Sequence, residues 1–295
     1  NTNWWGAFAI GLAGTILVIG LVGYALVALG GVAVLLFIGL TLIGVFLCAC
    51  LAELAAAFPD KAGGLPSYAF ETFKPFGPVV AKHAGGLSVW AYWLGWCPVA
   101  PINALLAAQY IVDLFDIPDG GTFGPIASNF GSAVSVSVLL TATCIIFVVF
   151  IPCWFGIKLG EIFATVMGIS SMAALVMVIF LPLFHPSSIS FENVQILMLP
   201  DGVQGTWQLI AGWMFIFSWS VWGMEAAACY ISECQEPARD AAIAMTLSGL
   251  FGLFVYVALP IMILAVLGNA GLHALDTPGD AYIVFNGYIK AIFGS

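Results

Sequence analysis

Long apolar stretches alternate with short polar ones along the whole chain. The runs that are long enough to cross a membrane cover about residues 4–29, 32–58, 87–111, 133–151, 162–184, 206–231 and 241–267. Each of them reaches roughly the 17 to 25 residues that an α-helix needs to span about 30 Å of hydrocarbon. The pattern therefore predicts an all-α, polytopic membrane protein with seven transmembrane helices.

The composition points the same way. The 295 residues are 62% hydrophobic and 7% charged, whereas soluble domains carry about 25% charged residues. The net charge is −9 and the sequence has no basic patch of the kind that binds nucleic acid, so we expect no nucleic acid partner. The seven cysteines lie in or beside apolar runs, and the three histidines lie at their ends or in loops. We therefore predict reduced cysteines, no metal site and no cofactor.

The basic residues predict the orientation in the membrane. Five of the six fall in the connections that follow the second, fourth and sixth runs: Lys61, Lys74, Lys82, Lys158 and Arg239. Lysine and arginine near segment ends are enriched on the cytoplasmic side. The pattern thus predicts a multi-pass protein of the cell membrane whose N-terminus is cytoplasmic.

The sixth run carries polar and acidic residues at membrane depth. Near its middle stand Ser218, Trp219, Ser220, Trp222, Gly223 and Glu225. A buried carboxylate there is costly unless it is paired, protonated or facing water, so it marks a candidate functional site. A glycine allows the helix to break, and irregular backbone at this depth is tolerated where it is buried in protein or lines a cavity.

The first run has interrupting residues at a matching depth. Gly11, Gly14 and Thr15 lie near its expected midpoint. Glycine in a membrane helix also serves close packing, and that interpretation stays open. Because paired interruptions in corresponding segments are typical of transporter binding sites, we predict non-helical backbone somewhere between residues 11 and 16.

Three motifs follow one another along the chain. The first runs from Ala52-Glu53-Leu54 through Pro59, Gly63-Gly64 and Tyr68 to Phe76-Gly77-Pro78; the second is Gly156-Ile157-Lys158-Leu159; the third joins Gly223-Met224-Glu225 and Glu233 to Glu236-Pro237-Ala238-Arg239-Asp240. In this order they resemble the second helix with its following loop, the start of the fifth helix, and the sixth helix of the amino acid–polyamine–organocation (APC) transporter superfamily.

The resemblance implies an inverted-repeat, leucine-transporter-like fold in which helices 1 and 6 are broken. Residues 1–184 would form the first repeat, helices 1–5. Residues 185–295 would begin the second with helices 6 and 7 and an outer loop that carries a short amphipathic helix. Helices 1, 2, 6 and 7 would form a bundle, and we expect the rest of the second repeat to follow Ser295.

The family also implies a function, which is secondary active transport of amino acids or related amines across the plasma membrane by alternating access, without enzymatic chemistry. Backbone groups freed at the two breaks would bind the substrate's carboxylate and ammonium groups. The candidate substrate-binding residues are Gly11, Ala13, Gly14, Thr15, Trp96, Asn103, Ser218, Trp219, Ser220, Trp222 and Gly223. The tryptophans would cover the substrate or simply pack.

Glu225 is the proton-coupling candidate, while a purely structural role at the start of the inner half helix stays open. The coupling ion would be a proton or sodium, and membrane lipid would surround the protein. The fifth run carries Ser170 and Ser171 at about the position where proton-coupled members of the superfamily often have a lysine.

Other classes of membrane protein fit less well. A seven-helix receptor or sensor places its N-terminus outside, against the predicted orientation, and a retinal protein needs a lysine that the seventh run lacks. An intramembrane protease is opposed by the absence of HExxH and GxSxG motifs. A non-transporting scaffold of the same fold is separated from a transporter by uptake measurements alone.

Overall fold

Helices occupy every apolar run of the chain. The computed structural model describes residues 3–15, 18–61, 63–122, 134–155, 157–200, 202–275 and 281–294. Its α-helices are α1 (Trp4–Thr15), α2 (Val18–Leu29), α3 (Val32–Ala57), α4 (Leu65–Phe73), α5 (Pro78–Trp96), α6 (Val99–Leu114), α7 (Val136–Trp154), α8 (Ile157–Phe180), α9 (Trp207–Val221), α10 (Pro237–His273) and α11 (Ala281–Phe293). Its 3-10 helices are Lys74–Phe76, Leu181–Phe184, Pro186–Ser188, Phe191–Asn193 and Gly223–Glu233, and the last is called the 3-10 segment below.

Several of these helices are long and apolar enough to cross a membrane. Among the described residues the qualifying stretches are Val32–Ala57, Pro78–Leu114, Ile162–Phe184 and Pro237–His273. Helix α7 holds a shorter apolar stretch, Val136–Pro152. The sixth run is divided between α9 and the 3-10 segment. The prediction of an all-helical protein with several membrane-spanning candidates is confirmed for the described part of the chain.

The chain divides into two compact units. Residues 90–163 form one of them. Its helices α6 and α7 pack on each other through small and β-branched side chains: Ala104, Ala108, Val112, Val138 and Ala142. The other unit comprises residues 1–89 and 164–295, and it contains α1 to α4 and α9 to α11.

The core of the larger unit is built where α3 packs along α10. The ring of Phe37 on α3 stacks on Phe217, with centroids 4.1 Å apart, and on Tyr256, at 5.4 Å. Eight residues later on α3, Val45 packs against Gly249, which lies seven residues before Tyr256. Since residue numbers rise along one helix while they fall along the other, α3 and α10 run antiparallel.

The loop before α9 docks onto a break in α10. Gly268 has φ 63° and ψ 174°, a conformation that interrupts the helix and that favours glycine. In an unbroken helix the amide of residue 269 would donate to the carbonyl oxygen of Ala265. Here the amide of Ser190 donates to that oxygen at 2.9 Å and Nδ2 of Asn193 donates at 3.3 Å. The loop thus satisfies the backbone group that the break leaves open.

Helix α11 is the amphipathic helix predicted for the outer loop. Its apolar face is buried against α2 and α10, through Val284, Phe285, Tyr288 and Ile292. The Tyr288 hydroxyl donates to the carbonyl oxygen of Val178 at 3.0 Å, while Asn286 and Lys290 are exposed. The helix therefore closes one end of the core of the larger unit.

Candidate functional site

The sixth run changes its helix type where the sequence predicts an interruption. Helix α9 ends at Val221, and Trp222 caps it with φ −97° and ψ 1°. The 3-10 segment begins at Gly223, which is buried, and continues for 11 residues. Runs of 3-10 helix longer than about 3–4 residues are uncommon, and such a stretch within a helix often marks a hinge or a strained sequence.

The first run is helical at its glycines. Helix α1 continues through Gly11, Ala13, Gly14 and Thr15, and α2 begins at Val18. The backbone is thus helical from Gly11 to Thr15, and because the last position of the predicted interval, 16, lies outside the described residues, non-helical backbone within that interval stays a prediction. Helix α1 lies against the 3-10 segment, and the packing interpretation of its glycines stays open.

Small side chains fill the space between α1 and the 3-10 segment. The buried cluster there is rich in alanines and cysteines and also contains three larger side chains: Ala7, Cys48, Ala55, Ala227, Ala228, Cys234, Ala241 and Ala244, with Phe8, Tyr68 and Met245. The Cys234 thiol lies 3.9 Å from the carbonyl oxygen of Asn3, at the start of α1. The contact between the first and sixth runs is thus close and contains few large groups.

Helix α4 also packs against the 3-10 segment. The hydroxyl of Tyr68, which is 1% exposed, donates to the carbonyl oxygen of Ala228 at 3.1 Å. Gly64 precedes α4 with φ +61°, and a Cβ there would lie 2.7 Å from Sγ of Cys229. The motif after the second run and the motif in the sixth run are therefore brought together in space.

Glu225 lies in the first turn of the 3-10 segment. Its side chain is half-buried, and its Oε2 atom is buried. It lies close enough to the thiol of Cys48 on α3 for the two groups to interact electrostatically. The structure thus places this carboxyl inside the larger unit, beside the helix transition.

The two serines of the sixth run are bonded to neighbouring groups of the protein. The Ser218 hydroxyl donates to the carbonyl oxygen of Met214 one turn earlier, at 2.6 Å. The Ser220 hydroxyl lies 2.6 Å from the Tyr256 hydroxyl, which itself donates to the carbonyl oxygen of Ser220 at 3.1 Å. Ser220 and Tyr256 therefore tie the end of α9 to α10.

The two tryptophans of this run that are candidate site residues differ in their surroundings. Nε1 of Trp222 donates to the carbonyl oxygen of Leu40 on α3 at 3.2 Å. Trp219 is half-buried. The Trp222 indole is thus held by α3 in this structure.

A comparison with protein families identifies the group to which this chain is related. A family model described as amino acid permease matches residues 3–287. The chain belongs to the amino acid permease family. This family is part of the APC superfamily, so the permease is a multi-pass membrane protein of a transporter family. Comparisons with curated proteins and with solved structures return no match.

The permease keeps two of its predicted site residues in the smaller unit. Trp96 lies next to Tyr92, with ring centroids 6.2 Å apart. Nδ2 of Asn103 donates to the carbonyl oxygen of Val99 at 2.9 Å, and the side chain is exposed. The candidate residues of α1, α9 and the 3-10 segment all belong to the larger unit, where the first and sixth runs are in contact.

Sequence reasoning missed the partners that hold the site. Three groups bond to residues of the sixth run: the hydroxyls of Tyr256 and Tyr68, and the backbone carbonyl of Leu40. A tyrosine within an apolar run is a usable signal, because a buried hydroxyl needs a hydrogen-bond partner. Within the described ranges no group of three or more His, Cys, Asp or Glu side chains is arranged to hold a metal ion.

Proposed function

We propose that the permease carries amino acids or related amines across the plasma membrane by secondary active transport, with alternating access to a site at the junction of α9 and the 3-10 segment. The observation that carries this proposal is the change of helix type at Trp222–Gly223, next to a half-buried carboxyl and against α1. Family membership supports transport as the activity. It does not favour the alternative of a receptor or sensor.

The chemistry of the junction suits a zwitterion. Backbone amides at the start of a helical segment point outward and carry partial positive charge, so those at Gly223 would bind a carboxylate. The last carbonyls of α9 carry partial negative charge and would accept hydrogen bonds from an ammonium group. Gly223, at the start of the segment, has no side chain that would keep a ligand from approaching the backbone closely.

An inverted repeat is the architecture that we propose for this site. In such a repeat helices 2 and 7 correspond to each other and run in opposite directions, and α3 and α10 are antiparallel. The first, second, sixth and seventh runs also belong to the same compact unit, in keeping with the bundle that the family fold implies. Residues 1–184 and 185–295 would be the complete and the incomplete repeat.

Glu225 is our candidate for the group that couples transport to protons or contacts the amine. Its position in the first turn of the 3-10 segment places it at the proposed site, and its side chain is half-buried. A carboxyl in a transporter interior that can gain and lose a proton links substrate movement to the proton gradient. Sodium coupling is the alternative.

Uptake by proteoliposomes that contain the full-length permease tests this proposal. A panel of radiolabelled amino acids and amines is offered to the wild type, to Gly223→Val and to Gly212→Val, a control on α9 where an added Cβ meets nothing within 4 Å. We expect Gly223→Val to lower uptake at least tenfold, because a branched side chain would obstruct the backbone groups that we propose bind the substrate, and Gly212→Val to transport normally. Wild-type vesicles that accumulate none of these compounds would indicate a scaffold.

A second arm tests Glu225. Glu225→Gln should flatten the dependence of uptake on pH while the protein remains monodisperse. If the carboxyl is only structural, the same change lowers yield or thermal stability and leaves the pH profile of the surviving protein intact. An unaltered profile would remove the proton-coupling role and leave the backbone at Gly223, with Trp219, as the site.

A further inference from the structure

A cavity of about 340 Å³ opens beside α4 and the first part of α5. Its polar lining consists of Lys61, Lys82, Glu71 and Ser67, and the cavity is called the lysine pocket below. Lys61 lies four residues beyond the end of α3, and Lys82 is the fifth residue of α5. Both lysines therefore lie near the ends of membrane-spanning candidates, at the level where lipid headgroups are found.

The lysine pocket has positive charge that the protein does not neutralise. Nζ of Lys74 holds the Glu71 carboxylate at 2.6 Å, whereas Nζ of Lys61 lies 3.8 Å from it. The hydrogen bond from Lys74 lowers the pKa of Glu71, so the carboxylate stays ionised and engaged with that lysine. In the part of the chain that the structure describes, Lys82 makes no ion pair. One loosely held ammonium group and one without an ion pair thus line the same cavity.

The concentration of basic residues here contrasts with the rest of the chain. Three of its six lysines and arginines lie between residues 61 and 82, although the net charge is −9. A local excess of positive charge in a net acidic protein favours an anionic ligand.

Two glycines shape the α5 wall of the pocket. A Cβ on Gly85 would lie 3.0 Å from Cβ of Phe70, so the glycine lets α4 and α5 approach closely. A Cβ on Gly86 would meet nothing within 4 Å, so the cavity is open in front of it. The space exceeds that of a single small ion and can admit a headgroup larger than phosphate itself.

An exposed apolar surface adjoins the pocket. On α5, Val79, Val80, Leu87 and Val89 are 65%, 43%, 72% and 55% exposed. Within a bilayer, exposed apolar side chains of this kind are suited to contact with acyl chains. A ligand that combines an anionic group with hydrocarbon chains therefore matches both surfaces, while a soluble anion would use only the lysines.

We propose that the lysine pocket binds the phosphate group of an anionic phospholipid, with Lys61 and Lys82 on the phosphate and the acyl chains along the apolar face of α5. Basic pockets at the ends of transmembrane helices are suited to such headgroups. The site is separate from the junction at Trp222–Gly223, so its test does not depend on transport.

Native mass spectrometry of the purified full-length permease in detergent measures this binding. The protein is titrated with phosphatidylglycerol, with phosphatidylcholine as the zwitterionic control and with inorganic phosphate as the soluble source of the same group. We expect phosphatidylglycerol to bind most tightly. Lys61→Gln and Lys82→Gln should each weaken phosphatidylglycerol binding about fivefold, because each removes the contribution of one interfacial lysine. Lys82→Arg should retain binding, and so should Lys290→Gln on α11.

A steric variant tests the pocket without changing charge. Gly86→Leu places a side chain in the cavity where no atom opposes its Cβ, and it should weaken phosphatidylglycerol binding at least tenfold. Gly39→Leu on α3 is the matched control, because a Cβ there also meets nothing within 4 Å and the residue does not line the pocket. Size-exclusion profiles identify any variant that fails to fold.

Two kinds of result would contradict the assignment of the lysine pocket to an anionic phospholipid. Equal affinity for phosphatidylglycerol and phosphatidylcholine, or unchanged binding in both lysine variants and in Gly86→Leu, would overturn the proposal. Inorganic phosphate that binds alone and displaces phosphatidylglycerol at equal concentration would assign the pocket to a soluble phosphate and overturn the lipid as its ligand.

Discussion

Replacing Tyr256 by phenylalanine tests how the sixth run is anchored to the seventh. Tyr256 is fully buried, and its hydroxyl bonds both the hydroxyl and the carbonyl oxygen of Ser220. Phenylalanine keeps the ring that stacks on Phe37, with centroids 5.4 Å apart, and removes only the oxygen. Tyr256→Phe therefore isolates the two hydrogen bonds from the packing of the ring.

The expected loss follows from the burial of the partner. Ser220 is 1% exposed and lies in the last turn of α9, where helix carbonyls lack partners within the helix. Hydrogen bonds between membrane helices contribute about 0.6 kcal/mol on average and about 1.7 kcal/mol at most. Because one hydroxyl supports two buried groups, we expect Tyr256→Phe to cost about 1.5 kcal/mol.

Unfolding by sodium dodecyl sulfate in mixed micelles, followed by circular dichroism, measures this cost. Tyr288→Phe is the matched control, since its hydroxyl makes one bond, to the carbonyl oxygen of Val178, and it should lose about half as much. The double variant Tyr256→Phe with Ser220→Ala should be less destabilised than the sum of the single variants, because the two groups share an interaction. Wild-type stability of Tyr256→Phe, or strict additivity in the double variant, would refute this account of the anchor.

Three other predictions concern the loops. A cysteine at exposed Thr72 on α4, in a cysteine-free background, should react with a membrane-impermeant maleimide only after intact cells are permeabilised, because the basic residues around it predict a cytoplasmic loop. The pKa of Glu71 is lowered in the folded state, chiefly by the hydrogen bond from Lys74. The stabilisation of the fold by this ionised carboxylate is therefore present above the unfolded pKa and is lost as the pH falls below about 4. Thermal unfolding across pH should show this loss in the wild type and not in Glu71→Gln. Gly31→Ala would drive a methyl group into the carbonyl of Gln195, so it should lower the thermal unfolding temperature and expose the loop before α9 to protease, whereas Gly39→Ala, which meets nothing within 4 Å, should do neither.

The sequence predicted those features that depend on local pattern. The helices of the apolar runs could be predicted, because hydropathy over about 20 residues depends on each segment alone. The sequence also predicted an interruption near Gly223, because a glycine next to polar residues at membrane depth is visible in it, and the change from α-helix to 3-10 helix lies at that position. Gly11 and Gly14 look similar in the sequence, yet α1 is helical through both. The sequence therefore does not distinguish a glycine at a helix transition from a glycine within a continuous helix.

Hydrogen bonds between residues that are distant in sequence could not be predicted, because they depend on which helix faces meet. Ser220 was assigned to substrate binding, and its hydroxyl is bonded to Tyr256, 36 residues away. Trp222 was assigned to cover a substrate, and its indole donates to the carbonyl oxygen of Leu40, 182 residues away. Which faces of two helices meet depends on the packing of the whole bundle, and the hydropathy of a uniformly apolar helix carries little information about it.

The two halves of the sixth run are held by different kinds of contact. Before Trp222, α9 is fixed by stacked aromatic rings, with Phe217 lying 4.1 Å from Phe37, and by the hydrogen bonds of Tyr256. After Trp222, the 3-10 segment belongs to a buried cluster that is rich in alanines and cysteines, and its 11 residues keep a geometry that is rarely sustained. We therefore expect conformational change to begin after Trp222 and α9 to remain in place. The uptake test at Gly223 examines this junction directly, because its first backbone groups would contact the substrate.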